Sequence, residues 1–366
     1  MDFNPTRLAQ ARRRRGLSQT DLAKLMGVVP RTVRRWESGE IVPEPATVEL
    51  LARHLKFSAP FFARADPSQL LEAAVSFRSL SKARAADRQR AITGGELALE
   101  FSDWMDANFD LPQPDVPDLR QHREEPEAAA VALRTIWGLG DKPISNMVAL
   151  LESKGVRVFS LAEDCHEIDA FSTWQGATPL VFLNTMKSAE RSRFDAAHEL
   201  AHLVLHKHGG VPNKTEERDA QVFASAFLMP RSSVEEFAPR VLTIRSLIKA
   251  KHIWNVSLVG LVYRMHKLGL ISDWQQFALF REMSAAGYRT MEPEGSAREQ
   301  SQVFPQIFES LRAEGISKRD LAAQFGWDLD ELNALVFNLI LSPMRGGARE
   351  ASPPSEESRG NLRLVK

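Results

Sequence analysis

The chain has 366 residues, of which 43% are hydrophobic and 26% are charged, a composition typical of globular proteins and long enough for two or three domains. No apolar run approaches the roughly 20 residues of a membrane helix, and the first residues lack the apolar stretch of a secretion signal. The single cysteine, Cys165, excludes an internal disulfide and a cysteine-based zinc cluster. We therefore expect a cytoplasmic protein without a membrane partner.

The net charge is zero, but the charges are unevenly distributed along the chain. Residues 1–66 carry 12 Lys or Arg and 7 Asp or Glu, a net charge of +5, so the remainder carries 35 bases and 40 acids. A small basic module on a mildly acidic body suggests that only the N-terminal part binds a polyanion.

Residues 1–66 are predicted to form five short helices. Ser18 is a favourable N-cap, Gly27 permits a tight turn, and a second helix follows with Val33 and Trp36 on its buried face. The outward side chains of that helix, together with a glutamine at the start of the preceding one, are candidates for contact with bases and phosphates of double-stranded DNA. These candidates are Gln19, Arg31, Thr32, Arg34 and Arg35.

This segment resembles the XRE (phage-repressor-like) helix-turn-helix family, whose pattern is roughly S-Q-x-x-L-A-x-x-x-G-V-S-x-x-T-I-x-x-W-E-x-G-x-x-x-P. The match begins at Ser18 and runs through Glu37, Gly39 and Pro43, with one departure at Val29, where the family usually has a capping serine. The resemblance implies binding to operator DNA. A homodimer is expected because paired half-sites suit such modules. A vestigial scaffold or a protein-docking module is the alternative.

The rest of the chain is predicted to be mostly helical around one small sheet. Residues 67–125 are interpreted as a helical linker region, with a helix over roughly 82–108 followed by a Pro/Asp-rich stretch. Residues 126–293 are predicted as an α+β domain, residues 294–344 as a helical C-terminal region and residues 345–366 as a disordered tail. The predicted helices of the α+β domain lie near 126–137, 144–154, 188–206, 216–228, 243–251 and 256–268, and its strands near 156–161, 170–174 and 180–184.

One internal repeat is visible. Residues 316–322 (ISKRDLA) follow the pattern of residues 17–23 (LSQTDLA), and a glycine, Gly326 or Gly27, lies four residues after each copy. The second copy is not expected to bind DNA, because Asp328, Asp330 and Glu331 would repel phosphate. We predict instead a helical hairpin used for packing or dimerisation.

A metal-binding motif, His-Glu-x-x-His, begins at residue 198. On a helix, His198 and His202 are one turn apart on the same face, so both imidazoles can reach one zinc ion. Glu199 lies beside them and can accept a proton from a water that such a metal activates. The motif therefore predicts a zinc metallo-endopeptidase with Glu199 as its catalytic base. A purely structural pair of histidines is the alternative.

A third protein ligand is needed. His206 is excluded because it lies eight residues from His198, about 12 Å along the helix axis. A carboxylate from the following helix is favoured, with Glu217 preferred. The alternatives are Glu216, Asp219 and His208, the last of which has the spacing of the third metzincin histidine.

The stretch resembles the ImmA/IrrE metallopeptidases, whose motifs are A-H-E-L-G-H-x-x-L-H and E-x-x-A-N-x-F-A-x-x-L-L-M-P. Residues 197–206 and 217–230 match them, with departures at Ala201 and Gln221, and the similarity extends to residues 169–172 and 254–257. The first glutamate of the second motif is the family's third metal ligand and maps onto Glu217. The resemblance implies a reduced thermolysin-like fold that is often fused to an XRE domain.

Together the two resemblances imply a transcriptional regulator whose peptidase cleaves a partner repressor and derepresses stress, prophage or mobile-element genes. One alternative is a non-proteolytic transcription factor whose metal domain senses a ligand or partner, and another is a toxin–antitoxin or phage-defence component. The residue that stabilises an oxyanion is left open among Tyr263, Tyr288, His252 and His266.

Overall fold

A computed structural model describes residues 2–70, 84–161, 168–206 and 213–340. Its elements confirm the predicted mostly helical, multidomain fold with a small central sheet. Cys165, His208 and the tail 345–366 lie outside the described residues. Within the described ranges, no helix is both long and apolar enough to cross a membrane.

The N-terminal module has the five predicted helical segments, the last of which is a 3-10 turn. They are α1 (Pro5–Arg14), α2 (Gln19–Met26), α3 (Pro30–Glu37), α4 (Pro45–Leu55) and the turn Ala59–Ala63. Three of the four α-helices begin with proline, whose fixed φ and missing N–H suit the first helical position. The module closes around fully buried Leu22, Val33 and Phe61.

Helix α5 (Ala85–Asn108) lies between this module and the sheet and is buried on all sides along its middle. Arg7 of α1 forms an ion pair with Glu100, and Gln10 donates a hydrogen bond to Glu96. Towards the sheet, Gly95 lies against the rings of Phe171 and Phe182, which a Cβ there would meet at 3.6 and 3.7 Å. The helix predicted near 82–108 is therefore present and packs on both neighbours.

The central region contains four helices and a three-stranded sheet. They are α6 (Pro126–Ile136), α7 (Met147–Ser153), β1 (Arg157–Ser160), β2 (Ala170–Gln175), β3 (Thr178–Leu183), α8 (Ala189–Leu205) and α9 (Lys214–Leu228). The strand order is β1-β3-β2, with β1 parallel and β2 antiparallel to β3. Phe171 and Phe182 are paired and face α5, so the neighbouring Ser172 points to the opposite face, where α8 packs.

The C-terminal half of the chain is helical. Its helices are α10 (Arg231–Phe237), α11 (Ile244–Trp254), α12 (Leu258–Lys267), α13 (Asp273–Ala285), α14 (Val303–Ala313), α15 (Lys318–Phe325) and α16 (Leu329–Leu335). Helices α10 and α13 were not predicted, although Ser272 and Gln275 form a reciprocal cap at the start of α13, a signal visible in the sequence.

The internal repeat has the same local structure in both copies. Ser18 with Asp21, and Ser317 with Asp320, form reciprocal caps at the starts of α2 and α15. Each helix ends at a left-handed glycine. The C-terminal hairpin, α15 and α16, packs against the N-terminal module: the backbone N–H of Ser58 donates to the carbonyl of Gly326 at 2.9 Å. The predicted packing role is confirmed.

Glu331 was expected to repel phosphate, but it is buried and its charge is balanced within the protein. Its side chain is only 3% exposed and forms ion pairs with Arg14, at 2.7 Å, and with Arg15. Arg7 and Arg13 are likewise directed at acids of α5. Part of the N-terminal basic excess therefore balances internal acids, so the net charge of +5 overstates what the module offers to an external polyanion.

Candidate metal centre and DNA-binding face

Helix α8 carries the His-Glu-x-x-His motif along the inner side of the sheet. Its N-terminus is capped by Ser188, and its buried apolar face, which includes Leu200 and Ala201, packs against the strands and α9. His198 and His202 project from one face, with their Nε2 atoms 3.2 Å apart. The helix thus presents two imidazole nitrogens to one point.

Helix α9 brings a carboxylate to the same point. Glu217 is buried, and its Oε2 lies 3.5 Å from Nε2 of His198 while its Oε1 lies 3.6 Å from Nε2 of His202. The neighbouring Glu216 instead accepts a hydrogen bond from the N–H of Asn213 and closes the helix cap. Asp219 is not part of the cluster within the described residues.

The three side chains bring donor atoms close enough together to share one metal ion. Bonds of 2.0–2.2 Å in a tetrahedron give donor–donor separations of about 3.3–3.6 Å. Here the two Nε2 atoms are 3.2 Å apart, and the two oxygens of Glu217 lie 3.5 Å from His198 and 3.6 Å from His202, respectively. One donor atom from each residue lies within 4.8 Å of the other two. Two imidazoles and one carboxylate are also a donor set of catalytic zinc sites, which keep a fourth position for water or substrate.

The surroundings set the protonation of the two histidines differently. Burial, with the nearby His198 and His206, holds the pKa of His202 well below its ordinary value, so this ring is neutral, as a metal ligand must be. Burial alone would lower the pKa of His198, but Glu217, Glu199 and Asp195 outweigh it and raise the pKa. The three acids therefore create a negative electrostatic potential at the two rings, which favours a bound cation.

His206 is a neighbour of the cluster and not a member of it. Its Nδ1 lies 2.9 Å from Nδ1 of His202, the ring nitrogen that faces away from His198. This contact fixes the orientation of the His202 ring and leaves Nε2 for the cluster. The exclusion of His206 from the ligand set agrees with this position.

Glu199 lies beside the cluster and is held by the sheet. Its side chain is buried, and its Oε2 accepts a hydrogen bond of 2.7 Å from the hydroxyl of Ser172 on β2. Burial raises the pKa of Glu199 to about 7, with His198 and Ser172 opposing the rise and Glu217 and Asp195 adding to it. A carboxyl with a pKa near neutrality is able to accept and return a proton.

Ser172 was not assigned a role from the sequence, although residues 169–172 belong to the stretch on which the resemblance rests. The side chain of Gln221 is exposed and lines a groove, and among the described contacts it makes no hydrogen bond to either histidine. Tyr263 lines the same groove and is about half exposed, so it is not a core residue. His252 and His266 lie beside the surface carboxylates of Glu294 and Asp273, respectively.

The candidate DNA-binding face is the outer side of α3. Val33 and Trp36 are buried as predicted, while Arg31 and Arg34 are exposed. Val29 provides no side-chain cap, and α3 begins at a proline instead. This face presents exposed guanidinium groups on a short helix that is fixed by its buried side chains.

Two other candidate residues have partners within the module. Arg35 forms an ion pair of 2.8 Å with Glu40 at the surface. Gln19 donates a hydrogen bond of 2.7 Å to Glu37, which also binds Arg12 of α1. Glu37 thus fixes α1, α2 and α3 relative to one another. Thr32 is partly exposed on α3.

Two family models match the chain. The model described as IrrE N-terminal-like domain matches residues 151–266, which contain the sheet, α8 and α9. A model described as helix-turn-helix domain matches residues 6–62. No curated protein was found to match the chain.

Proposed function

Since the chain joins an XRE-type helix-turn-helix domain to an ImmA/IrrE-type metallopeptidase domain, we propose that it is a DNA-binding transcriptional regulator with zinc-dependent endopeptidase activity. Its substrate in this proposal is a partner repressor, and cleavage derepresses stress, prophage or mobile-element genes. The observation that carries the proposal is the His198, His202 and Glu217 cluster, whose donor atoms lie within 4.8 Å of one another, with the buried Glu199 beside it.

His198, His202 and Glu217 would hold the metal. When bound, zinc acts as a Lewis acid towards a peptide carbonyl and lowers the pKa of water towards neutrality. The neutral His202 and the buried carboxylate of Glu217 suit a dication, since a buried negative charge needs a counter-charge.

The chain's own residues handle the proton and the peptide. Ser172 holds Oε2 of Glu199, which leaves Oε1 to take a proton from the attacking water and to pass it to the leaving amine. Strand β2 lies at an edge of the sheet and, within the described residues, pairs only with β3.

The peptidase is tested by co-expression with any repressor-like protein that is encoded next to it. Glu199→Gln is expected to abolish cleavage while zinc stays bound, and Glu235→Gln, the same change at a surface glutamate of α10, is the matched control. Zinc is measured by mass spectrometry of the purified protein, where His198→Ala with His202→Ala should lose it. Wild-type protein that binds zinc but leaves every candidate partner intact would favour a metal-dependent sensor.

DNA binding is tested separately by gel shift on the upstream operator region. Arg34→Ala with Arg35→Ala is expected to remove binding and to leave proteolysis intact, because both side chains lie on the outer face of α3. Arg312→Ala with Arg319→Ala removes the same charge from exposed sites of the C-terminal region. If both double variants lost DNA binding to the same extent, binding would depend on the total charge of the protein and not on α3.

A further inference from the structure

We infer that the groove bounded by α8, α9 and α12 is the part of the substrate site that recognises sequence, and that it takes a peptide segment with an apolar side chain followed or preceded by an acidic one. This inference rests on the proposed peptidase function and names its substrate class. The groove has a volume of about 420 Å³, within the range of sites that hold several side chains.

On two of its helices, the groove lies one helical turn from the candidate metal centre. Phe194 precedes His198 by four residues on α8, and Gln221 follows Glu217 by four residues on α9. Residues four apart lie on one face of a helix, so each of the two helices presents a cluster residue and, one turn away, a groove residue. A peptide cleaved at the cluster therefore has its neighbouring residues beside this groove.

Apolar side chains form the inner surface of the groove. Phe194, Val222 and Val259 come from the three helices and are each only partly buried, so their remaining exposed area faces the groove. Tyr263 adds a ring that also packs on Phe280, with centroids 4.9 Å apart. An apolar substrate side chain placed here removes apolar surface from water on both partners.

The groove has a surplus of positive charge, part of which is already neutralised. Arg264 is buried and bound to Glu127 and to the carbonyl of Met229. Arg191 is paired with Asp169 and Asp195. These two cations are therefore occupied by structural partners.

The acid that lines the groove is also occupied. Glu190 accepts a hydrogen bond from the N–H of Ser296 at 2.6 Å and lies 3.4 Å from the ammonium of Lys251. The negative charge of Glu190 is consequently balanced by buried partners on the protein side of the groove. It offers little repulsion to an incoming carboxylate.

Two cations at the groove have no strong partner. The side chain of Arg218 is 73% exposed, and the carboxylate nearest to it, Asp219, lies 3.5 Å away in weak contact. Lys267 is exposed, and the acid with which it interacts electrostatically, Glu127, is already bound by Arg231 and Arg264. Both line the groove beside the apolar surface. Charge complementarity thus selects a carboxylate on the peptide.

The test uses the full-length zinc protein and three pools of fluorescein-labelled peptides. The pools are randomised except for a central leucine whose flanking positions carry glutamate, glutamine or lysine. Binding is measured by anisotropy with the Glu199→Gln protein, and cleavage is measured with the wild type. We expect roughly a three- to tenfold preference for glutamate over glutamine, which shrinks as salt is added, because rim charges contribute modestly and are screened.

Arg218→Glu with Lys267→Glu should reverse the preference, so that the lysine pool binds better than the glutamate pool. The matched control, Arg245→Glu with Lys249→Glu, makes the same charge change on the exposed side of α11 and should keep the wild-type order. Circular dichroism confirms that all the proteins are folded.

The outcomes separate the two claims. Cleavage of the three pools at equal rates would overturn the groove assignment and leave the peptidase standing. Preferential binding of the glutamate pool without any cleavage by wild-type protein would support the groove and overturn the peptidase. An identical shift in the groove variant and in the control variant would also overturn the groove assignment, since net charge alone would then explain the preference.

Discussion

Alanine at position 326 is expected to destabilise the protein more than alanine at position 27, although these glycines occupy the same place in the two copies of the repeat. Both end a helix in the left-handed region, with φ of 74° at Gly326 and 66° at Gly27. A residue with a Cβ enters that region at a cost of about 1–2 kcal/mol. This cost is common to both substitutions.

The surroundings of the two glycines differ. A Cβ at position 326 would lie 2.9 Å from Cβ of Phe61 and 3.0 Å from its Cα and N, whereas at Gly27 no described atom lies within 4 Å. Phe61 is fully buried and its backbone is part of the 3-10 turn, so it cannot move aside as a flexible side chain would. Overpacking adds about 1–3 kcal/mol. We therefore expect a loss of about 2–5 kcal/mol for Gly326→Ala and about 1–2 kcal/mol for Gly27→Ala.

The assay is urea unfolding of the full-length wild type and both variants, followed by circular dichroism at one pH. Gly27→Ala is the control, because it measures the cost of a Cβ in the left-handed region without the steric contact with Phe61. Equal losses, or a smaller loss at Gly326, would show that the C-terminal hairpin is not packed against Phe61. The confirmed packing of the two modules would then need revision.

Three further outcomes follow from buried groups. Glu331→Ala leaves two buried or half-buried arginines without their carboxylate and should cost about 3–5 kcal/mol in urea unfolding, while Asp330→Ala at the exposed neighbouring acid should change little. Burial raises the pKa of Glu152 to about 7, so its favourable contribution is complete below its ordinary value of 4.5 and is lost as the pH rises through 7. Relative to Glu152→Gln, the wild type should therefore lose stability on the order of 3 kcal/mol between about pH 5 and 7, and a pH-independent difference would contradict this. Ser172→Ala removes a hydrogen bond that lowers the pKa of Glu199, so the acid limb of the pH–rate profile should move to higher pH with about a tenfold lower kcat.

Local signals were sufficient for most helices and for the assembly of the metal cluster. The reciprocal caps at Ser18 and Ser317 depend on residues three positions away, and the sequence shows both. His198 and His202 share a helix face by spacing alone. Glu217 was already preferred to its neighbours before the family resemblance was considered, and the resemblance supported that choice. A helical period alone does not separate adjacent acids before the cap is known.

Contacts between distant segments were beyond prediction. Arg14 and Glu331 are 317 positions apart, and no nearby residue identifies either as the partner of the other. For the same reason the net charge of +5 over residues 1–66 suggested a polyanion partner, although part of that charge balances internal acids. Ser172 lies 27 positions from Glu199, so the hydrogen bond between them depends on how the sheet packs on α8. The roles of the residues on α3 stay predictions.

These contacts decide how the two activities can be separated experimentally. The buried apolar side chains of the described residues form one core that includes both the N-terminal module and the sheet. Deleting residues 1–66 would leave Glu100 and Glu331 without their arginine partners and would expose the packed face of α5. Such a deletion is expected to inactivate the peptidase through unfolding, because removing one partner of a buried ion pair is strongly destabilising. Loss of cleavage in this deletion variant would therefore not show that DNA binding is required for proteolysis. The exposed side chains of α3 are the place to separate the functions, since substituting them leaves every interdomain contact intact.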